Sequence, residues 1–353
     1  MATEWLRCGH DVYVVSIWLS SRAACTMLYH LLHQSLRMQQ TSGEPPGRVR
    51  LRTIDFNADK DVEKAVNDLS QAAKKGSLYV IADEVGLDEW SDSFQTFCDK
   101  LLIQIPRLHL WAASCYHDYS PNGWHIEYLT RPLRSPPVVV REVALDPEIN
   151  DHKRIHPYSE RGVPDHTDGP PIRRLYHRGQ GHSGDWPGDC VTCGLEVASF
   201  LHSLHTDETS TDRENTSTRC SVSTYTASPS LQWRDVLVLD WGQPKDKSGI
   251  LEGMEEAGIP VRVMQDDDIE DVAKANTDVV WVANGELVRG LERKVVVCLE
   301  SPCAGSKLFI RLNNMSRCTA QLVIVSSEEY WPVEAVSPTE PHSGHQESSC
   351  NMC

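Results

Sequence analysis

No glycine–lysine pair occurs anywhere in this 353-residue chain. That absence excludes the phosphate-binding loop Gly-x-x-x-x-Gly-Lys-Ser/Thr, in which backbone N–H groups and a lysine surround a polyphosphate. Gly305-Ser306-Lys307 stands near the end and out of order for such a loop. Long apolar runs are lacking too. Val12–Leu19, the longest near the start, falls far short of the ~20 residues that span a bilayer, so no membrane partner is expected. Basic excess is missing: 34 Lys and Arg against 50 Asp and Glu leave a net charge of −16. A general attraction to polyanions is thereby excluded, and any nucleic-acid contact needs a local basic groove. The 12 cysteines form no small-domain disulfide framework, and no signal peptide is legible. Reduced thiols in a cytoplasmic or nuclear setting are the expectation. Cys350-Asn351-Met352-Cys353 lacks the aliphatic middle of a prenylation box. No internal repeat of fixed period is present.

What is there is the composition of a globular chain, 40% hydrophobic and 24% charged, long enough for two domains. Apolar runs alternate with helical patterns. Strands are expected at Asp11–Ser16, Val49–Ile54, Leu78–Ala82 and Leu108–Ala112, with helices at Ser20–Met38, Val62–Ala73 and Ser91–Ile105. A short stretch before Gly9 reads as the tail of a helix. Later come a possible strand at Ile172–Tyr176, a helix at Cys190–Leu204 and a strand at Asp235–Asp240. A helix at Ser248–Ala257, stopped by Gly258, and a strand at Pro260–Val263 follow. Ile269–Lys274 reads as a short helix, and strands at Val279–Val282, Val295–Val297 and Leu322–Val325 close the pattern. Alternation of this kind predicts α/β architecture with parallel sheets covered by helices. Segments about 147–171 and 206–230 are poor in apolar residues and read as loosely ordered insertions. Residues 333–353 read as a disordered tail.

The chemistry concentrates at strand ends, where ligands sit in parallel sheets. Leu78–Glu84 reads LYVIADE, an apolar strand delivering an acid pair. Asp278–Val325 reads as strands flanking Arg289-Gly290-Leu291-Glu292-Arg293 and Met315-Ser316-Arg317-Cys318-Thr319. The last two stretches resemble motifs V and VI of superfamily-one helicases, the UvrD-like group, in order, spacing and flanking strands. Leu78–Glu84 resembles that family's Walker B strand. Asp11–Ala24 resembles its motif Ia, and Tyr128–Ser135 its motif IV. The stretch Leu108–Trp124 stands where motif III belongs but lacks the family's Gly-Asp-x-x-Gln.

The resemblance covers most of the chain from Met1 to about Val325. It implies two RecA-like parallel-sheet domains of a P-loop NTPase helicase, at 1–125 and 126–332, the first truncated so that the chain begins just after the P-loop. It further implies ATP and Mg²⁺ as cofactors and single-stranded DNA or RNA as partner, with the missing N-terminal part of a longer protein as another. Asp83 would hold Mg²⁺ through water and Glu84 would polarise the attacking water. Arg317 would be catalytic, with Arg134, Arg131, Glu292 and Gly290 contacting the nucleotide. Ser16, Ser21 and Arg22 would contact a nucleic-acid backbone and Trp111 would stack on a base. Without the P-loop, little ATPase activity is expected. A non-catalytic interaction module that keeps the fold is the alternative.

The same residues have plainer readings. An Asp-Glu pair after a strand is also a helix cap, as is a serine at Ser20 or Ser21. Trp111 also suits a core, and Arg131 and Arg134 also suit a solvated linker. Cys190-Val191-Thr192-Cys193 has metal-ligand spacing with His182 nearby, but no second Cys-x-x-Cys accompanies it. His152, His156, His166 and His177 form no ligand set by spacing. The cysteine pair is expected simply to start a helix.

Overall fold

The structure is a computed structural model. It describes residues 1–38, 45–73, 76–85, 91–114, 123–130, 134–145, 168–210, 231–240, 244, 246–300 and 313–327. The first half runs α1 (Ala2–Arg7), β1 (Val12–Ile17), α2 (Trp18–Met38), β2 (Val49–Ile54), α3 (Asp59–Ala72), β3 (Ser77–Asp83), α4 (Ser91–Gln104) and β4 (Arg107–Ala112). The second runs α5 (Pro137–Ala144), β5 (Arg173–Tyr176), α6 (Val191–Ser210), β6 (Val236–Asp240), α7 (Gly249–Glu256) and β7 (Val261–Val263). It ends with α8 (Ile269–Lys274), β8 (Val280–Asn284), β9 (Arg293–Leu299) and β10 (Cys318–Ser326). Among the described residues the strands form two sheets, ordered β2-β1-β3-β4 and β5-β10-β9-β6-β8-β7. Every pairing in both is parallel. The expected class, α/β with two parallel sheets covered by helices, is what the chain adopts.

β1, β6 and β8, with most of β9 and β10, are buried on both faces, which is why they read as unbroken apolar runs. Successive residues point to opposite sides. In β1, Tyr13, Val15 and Ile17 enter a core with Val62, Val66, Phe94 and Phe97. Val12 and Val14 face Leu6, Cys25 and Leu32. In β6, Val236 and Val238 pack beneath α6 and α7 with Cys193, Val197 and Met254. Leu237 and Leu239 face the other way, among Trp281, Leu291 and Met315. Helix α2 serves both halves. Its Cys25 and Leu32 pack on the first sheet, while Ala23 and Met27 join the core of the second. His30 Nε2 of α2 lies 3.6 Å from Glu270 Oε1 of α8.

Two elements differ from expectation. α5 was not anticipated: Val138–Val140 is a β-branched run, but Pro137 occupies the first helical turn, where its fixed φ and missing N–H are harmless. α6 continues to Ser210, past the Thr206 boundary of the expected insertion. The remainder of that insertion, most of 147–171 and the expected tail at 333–353 lie outside the described residues.

α6 and α7 touch backbone to backbone. A Cβ at Gly194 would stand 2.5 Å from the Ile250 carbonyl oxygen, and one at Gly253 would overlap the Val191 carbonyl oxygen. No side chain on either helix can yield there. Gly253→Ala is therefore expected to cost ~1–3 kcal/mol through overpacking, seen as a lower denaturant midpoint, whereas Ala at exposed Glu252 should leave the midpoint nearly unchanged.

Candidate functional site

β3 sends alternate residues Leu78, Val80 and Ala82 into the core and so carries Asp83 and Glu84 to the end of the first sheet. Asp83 Oδ1 accepts the Glu84 backbone N–H at 3.0 Å. Glu84 takes φ +54°, a left-handed conformation that costs a residue with a Cβ ~1–2 kcal/mol. Its Oε2 is buried and has no hydrogen-bond partner among the described residues. Burial, and then the Glu84 charge, pushes the Asp83 carboxyl up to about 6. Strain, an orphaned buried acceptor and a raised carboxyl in one dipeptide are features that concentrate at functional sites.

The β8–β9 turn of the second sheet comes to this acid pair. Asn284 Oδ1 at the end of β8 accepts the Glu286 N–H at 2.7 Å. Gly290, at φ +75°, leaves so little room that a Cβ would stand 2.6 Å from Ala24 Cβ and 3.7 Å from Glu84 Oε1. Beneath the turn lies Arg317, only 5% exposed. Its Nη1 donates to the Val288 carbonyl and, at 3.4 Å, to that of Leu291; Nη2 donates to Gly285 at 3.5 Å. Asn314, also buried, fills the space beside Gly285. The Ser135 hydroxyl donates to the Ser316 carbonyl at 2.8 Å, which brings in Arg134. Arg134 Nη1 lies 2.9 Å from Glu292 Oε2. Burial pushes the Glu292 carboxyl up, while the charges of Arg134 and Arg317 pull it down.

The expected site residues thus fall into two gatherings across one seam: Asp83 and Glu84 against Gly290, and Glu292 with Arg134 and Arg317. Ser16 and Ser21 are fully buried. The Ser21 hydroxyl caps the β1–α2 turn, accepting the Ile17 N–H at 2.6 Å and lying 3.4 Å from the Ser16 hydroxyl. Neither side chain is open to an outside ligand. Arg22 is half-buried near the start of α2. Trp111 is 55% exposed on β4, the edge strand of the first sheet, so the plainer reading of it as a core residue is corrected. Arg131 lies outside the described residues. Ala24, Asn284 and Asn314 were not expected in the site. Only a three-dimensional pairing of turn with helix reveals them, although Asn after a β-run is a turn signal. A third gathering, on the opposite face of the second sheet, joins His177, His182, Cys190 and Cys193.

No family model matches this chain and no curated protein matches it. Among solved structures it is similar to a DUF1998 helicase, MrfA, bound to DNA. That similarity has 10% identity and a TM-score of 0.41, and covers 93% of this chain and 46% of that one. It is also similar to the Pyrococcus furiosus Hef helicase domain, at 9% identity and a TM-score of 0.23, over 92% of this chain and 94% of that one. The chain therefore spans about half the length of the first.

Arg317→Ala strips donors from three turn carbonyls in a buried setting, where hydrogen bonds from a charged group contribute ~1.5–3 kcal/mol. The expected outcome is a marked fall in melting temperature without any ligand present.

Asp83 gives a signed pH dependence. In the folded state burial pushes its carboxyl up to about 6, from an ordinary value of 3.8. The folded state therefore binds the extra proton between those values, and this group's contribution to stability falls as pH rises through that window. The gap corresponds to ~3 kcal/mol opposing the fold above pH 6. Asp83→Asn should raise the melting temperature at pH 7.5, and the gain should vanish by pH 4.

Proposed function

We propose that this chain forms a two-sided nucleotide cleft of the superfamily-one helicase type, with RecA-like halves at 1–125 and 126–332 and little ATP turnover of its own. The observation that carries the reading is Glu84: a strained residue with a buried, unpartnered carboxylate oxygen, set against Gly290 of the opposite half. Such an oxygen fits a cation or a water held for reaction. Asp83 and Glu84 supply the hard oxygen donors that Mg²⁺ takes. In this role Asp83 holds the ion through water and Glu84 polarises the attacking water. Bound Mg²⁺ would offset charge on the phosphates.

The two arginines divide the work of the opposite wall. Arg134 is largely exposed and is the one that reaches a phosphate, with Glu292 holding it in waiting. Arg317 shapes the turn that presents Gly290. Arg22 and Trp111 are the groups left for a single-stranded DNA or RNA, at the start of α2 and on the β4 edge.

The triphosphate itself fits poorly. With no Gly-Lys loop in the sequence, no lysine-bearing cradle offsets the negative charge of the acid pair, and arginines on the far wall cannot align an in-line attack. The burial of Arg317 favours a second reading, a non-catalytic interaction module that keeps the fold. Purified chain should show no hydrolysis stimulated by single-stranded DNA or RNA, while Mg²⁺ should raise its melting temperature and lose that effect in Asp83→Asn and Glu84→Gln. Fast stimulated turnover abolished by Arg134→Ala would overturn the low-turnover assignment. Melting curves blind to Mg²⁺ would remove the acid pair from the account and leave the interaction module.

A further inference from the structure

The gathering on the outer face of the second sheet has the geometry of a metal centre. His177 follows directly on β5, His182 lies in the loop after it, and Cys190 and Cys193 open α6. One ligand atom from each lies within 4.8 Å of all the others. His182 Nδ1 sits 3.5 Å from Cys190 Sγ and 3.4 Å from Cys193 Sγ, and His177 Nδ1 sits 3.4 Å from Cys193 Sγ. A tetrahedral zinc ion, with bonds of ~2.3 Å to sulfur and ~2.0–2.1 Å to nitrogen, sets nitrogen–sulfur edges of ~3.5 Å. The observed separations are those edges.

The surroundings orient the ligands as well. His177 Nε2 is 3.2 Å from the Gly184 carbonyl oxygen, so it carries the proton and donates it there. His182 Nε2 is 3.8 Å from Glu196 Oε1. With each Nε2 turned to an outer acceptor, each Nδ1 lone pair points inward at the sulfurs, the arrangement in which metal-bound histidines are held. The Cys193 N–H approaches Cys190 Sγ at 3.5 Å, a contact that favours a thiolate. Both cysteines are fully buried and both are free thiols.

We propose that His177, His182, Cys190 and Cys193 bind one structural Zn²⁺. Two thiolates and two imidazoles in a tetrahedron suit zinc rather than a hard cation. With four protein ligands and no open position, the ion does no chemistry of its own. It fastens the end of β5 to the start of α6 across a loop that has little apolar content. Gly179, Gly181 and Gly184 all take positive φ in that loop, and Thr192 Oγ1 donates to the Gly181 carbonyl at 2.5 Å. The ion adds to the packing of Leu175 of β5 against Cys193 and Val197 of α6 and to the stacking of Arg173 over Phe200.

The test uses the full chain purified under reducing conditions without chelator. Elemental analysis should find one zinc per chain, and a strong chelator should remove it and lower the melting temperature. Cobalt added to the stripped protein should give the visible bands of a tetrahedral ion together with thiolate-to-cobalt charge transfer. Cys190→Ser should lower the charge-transfer intensity by about half while keeping a cobalt signal, and His177→Ala should keep the charge transfer but weaken affinity. Asp61→Asn, on the exposed face of α3 in the other half, should keep full zinc. A folded, reduced chain with no zinc and no cobalt uptake would overturn the proposal. So would a cobalt spectrum unchanged by Cys190→Ser.

Discussion

The guanidinium of Arg317 holds the candidate site together. It lies under the β8–β9 turn and donates to the Val288, Leu291 and Gly285 carbonyls. Buried carbonyls need such donors, since leaving them unmade costs ~1–3 kcal/mol each. A turn pinned in this way presents Gly290 to Ala24 and Glu84 on one side and Glu292 to Arg134 on the other. The parallel sheets bring strand ends to the seam, but the arginine decides which backbone faces which. A residue that resembles a catalytic arginine in sequence therefore bonds the backbone of its own half, while Arg134 is exposed and paired with Glu292.

α2 is the mechanical counterpart of that turn. One stripe, Cys25 and Leu32, belongs to the first sheet's core; Ala23 and Met27 belong to the second's. A helix apolar on two sides is buried between two layers. The acid pair follows β3, which lies beside β1 in the sheet that α2 covers. Movement of one half against the other would therefore pass through α2 and through the Ala24–Gly290 contact. The left-handed backbone of Glu84 lies beside this contact, and strain of that kind concentrates at functional sites.

Much of the fold was legible in the sequence because doubly buried parallel strands need unbroken apolar runs. Val236–Asp240 and Leu78–Ala82 have no other use for such residues. Ile269–Lys274 was legible to the residue. α5 was not, since Val138–Val140 carries strand propensity and only Pro137 hints at a helix start. The place of the acid pair at a strand end was legible, but the burial of Ser16 and Ser21 was not. Serines after a strand look like ligand contacts until the turn is seen to consume their hydroxyls. Arg317 read as a ligand arginine because nothing local announces the carbonyls stacked above it. Spacing shows the Cys190–Cys193 pair with His182 nearby but leaves His177 out of the set. The four ligands come from a strand end, a loop and a helix start that only the β5–α6 packing brings together.

The central claim is that the two halves meet where Gly290 abuts Ala24 beside Glu84. Its most direct test is a double-mutant cycle on thermal or denaturant stability with Gly290→Ala, Ala24→Gly and the pair. The account predicts that Gly290→Ala destabilises, and that Ala24→Gly in the same chain recovers part of the loss by vacating the space, giving a coupling of ~1 kcal/mol or more. Strict additivity of the two substitutions, within ~0.3–0.5 kcal/mol, would mean that the residues do not touch and that the seam described here does not exist.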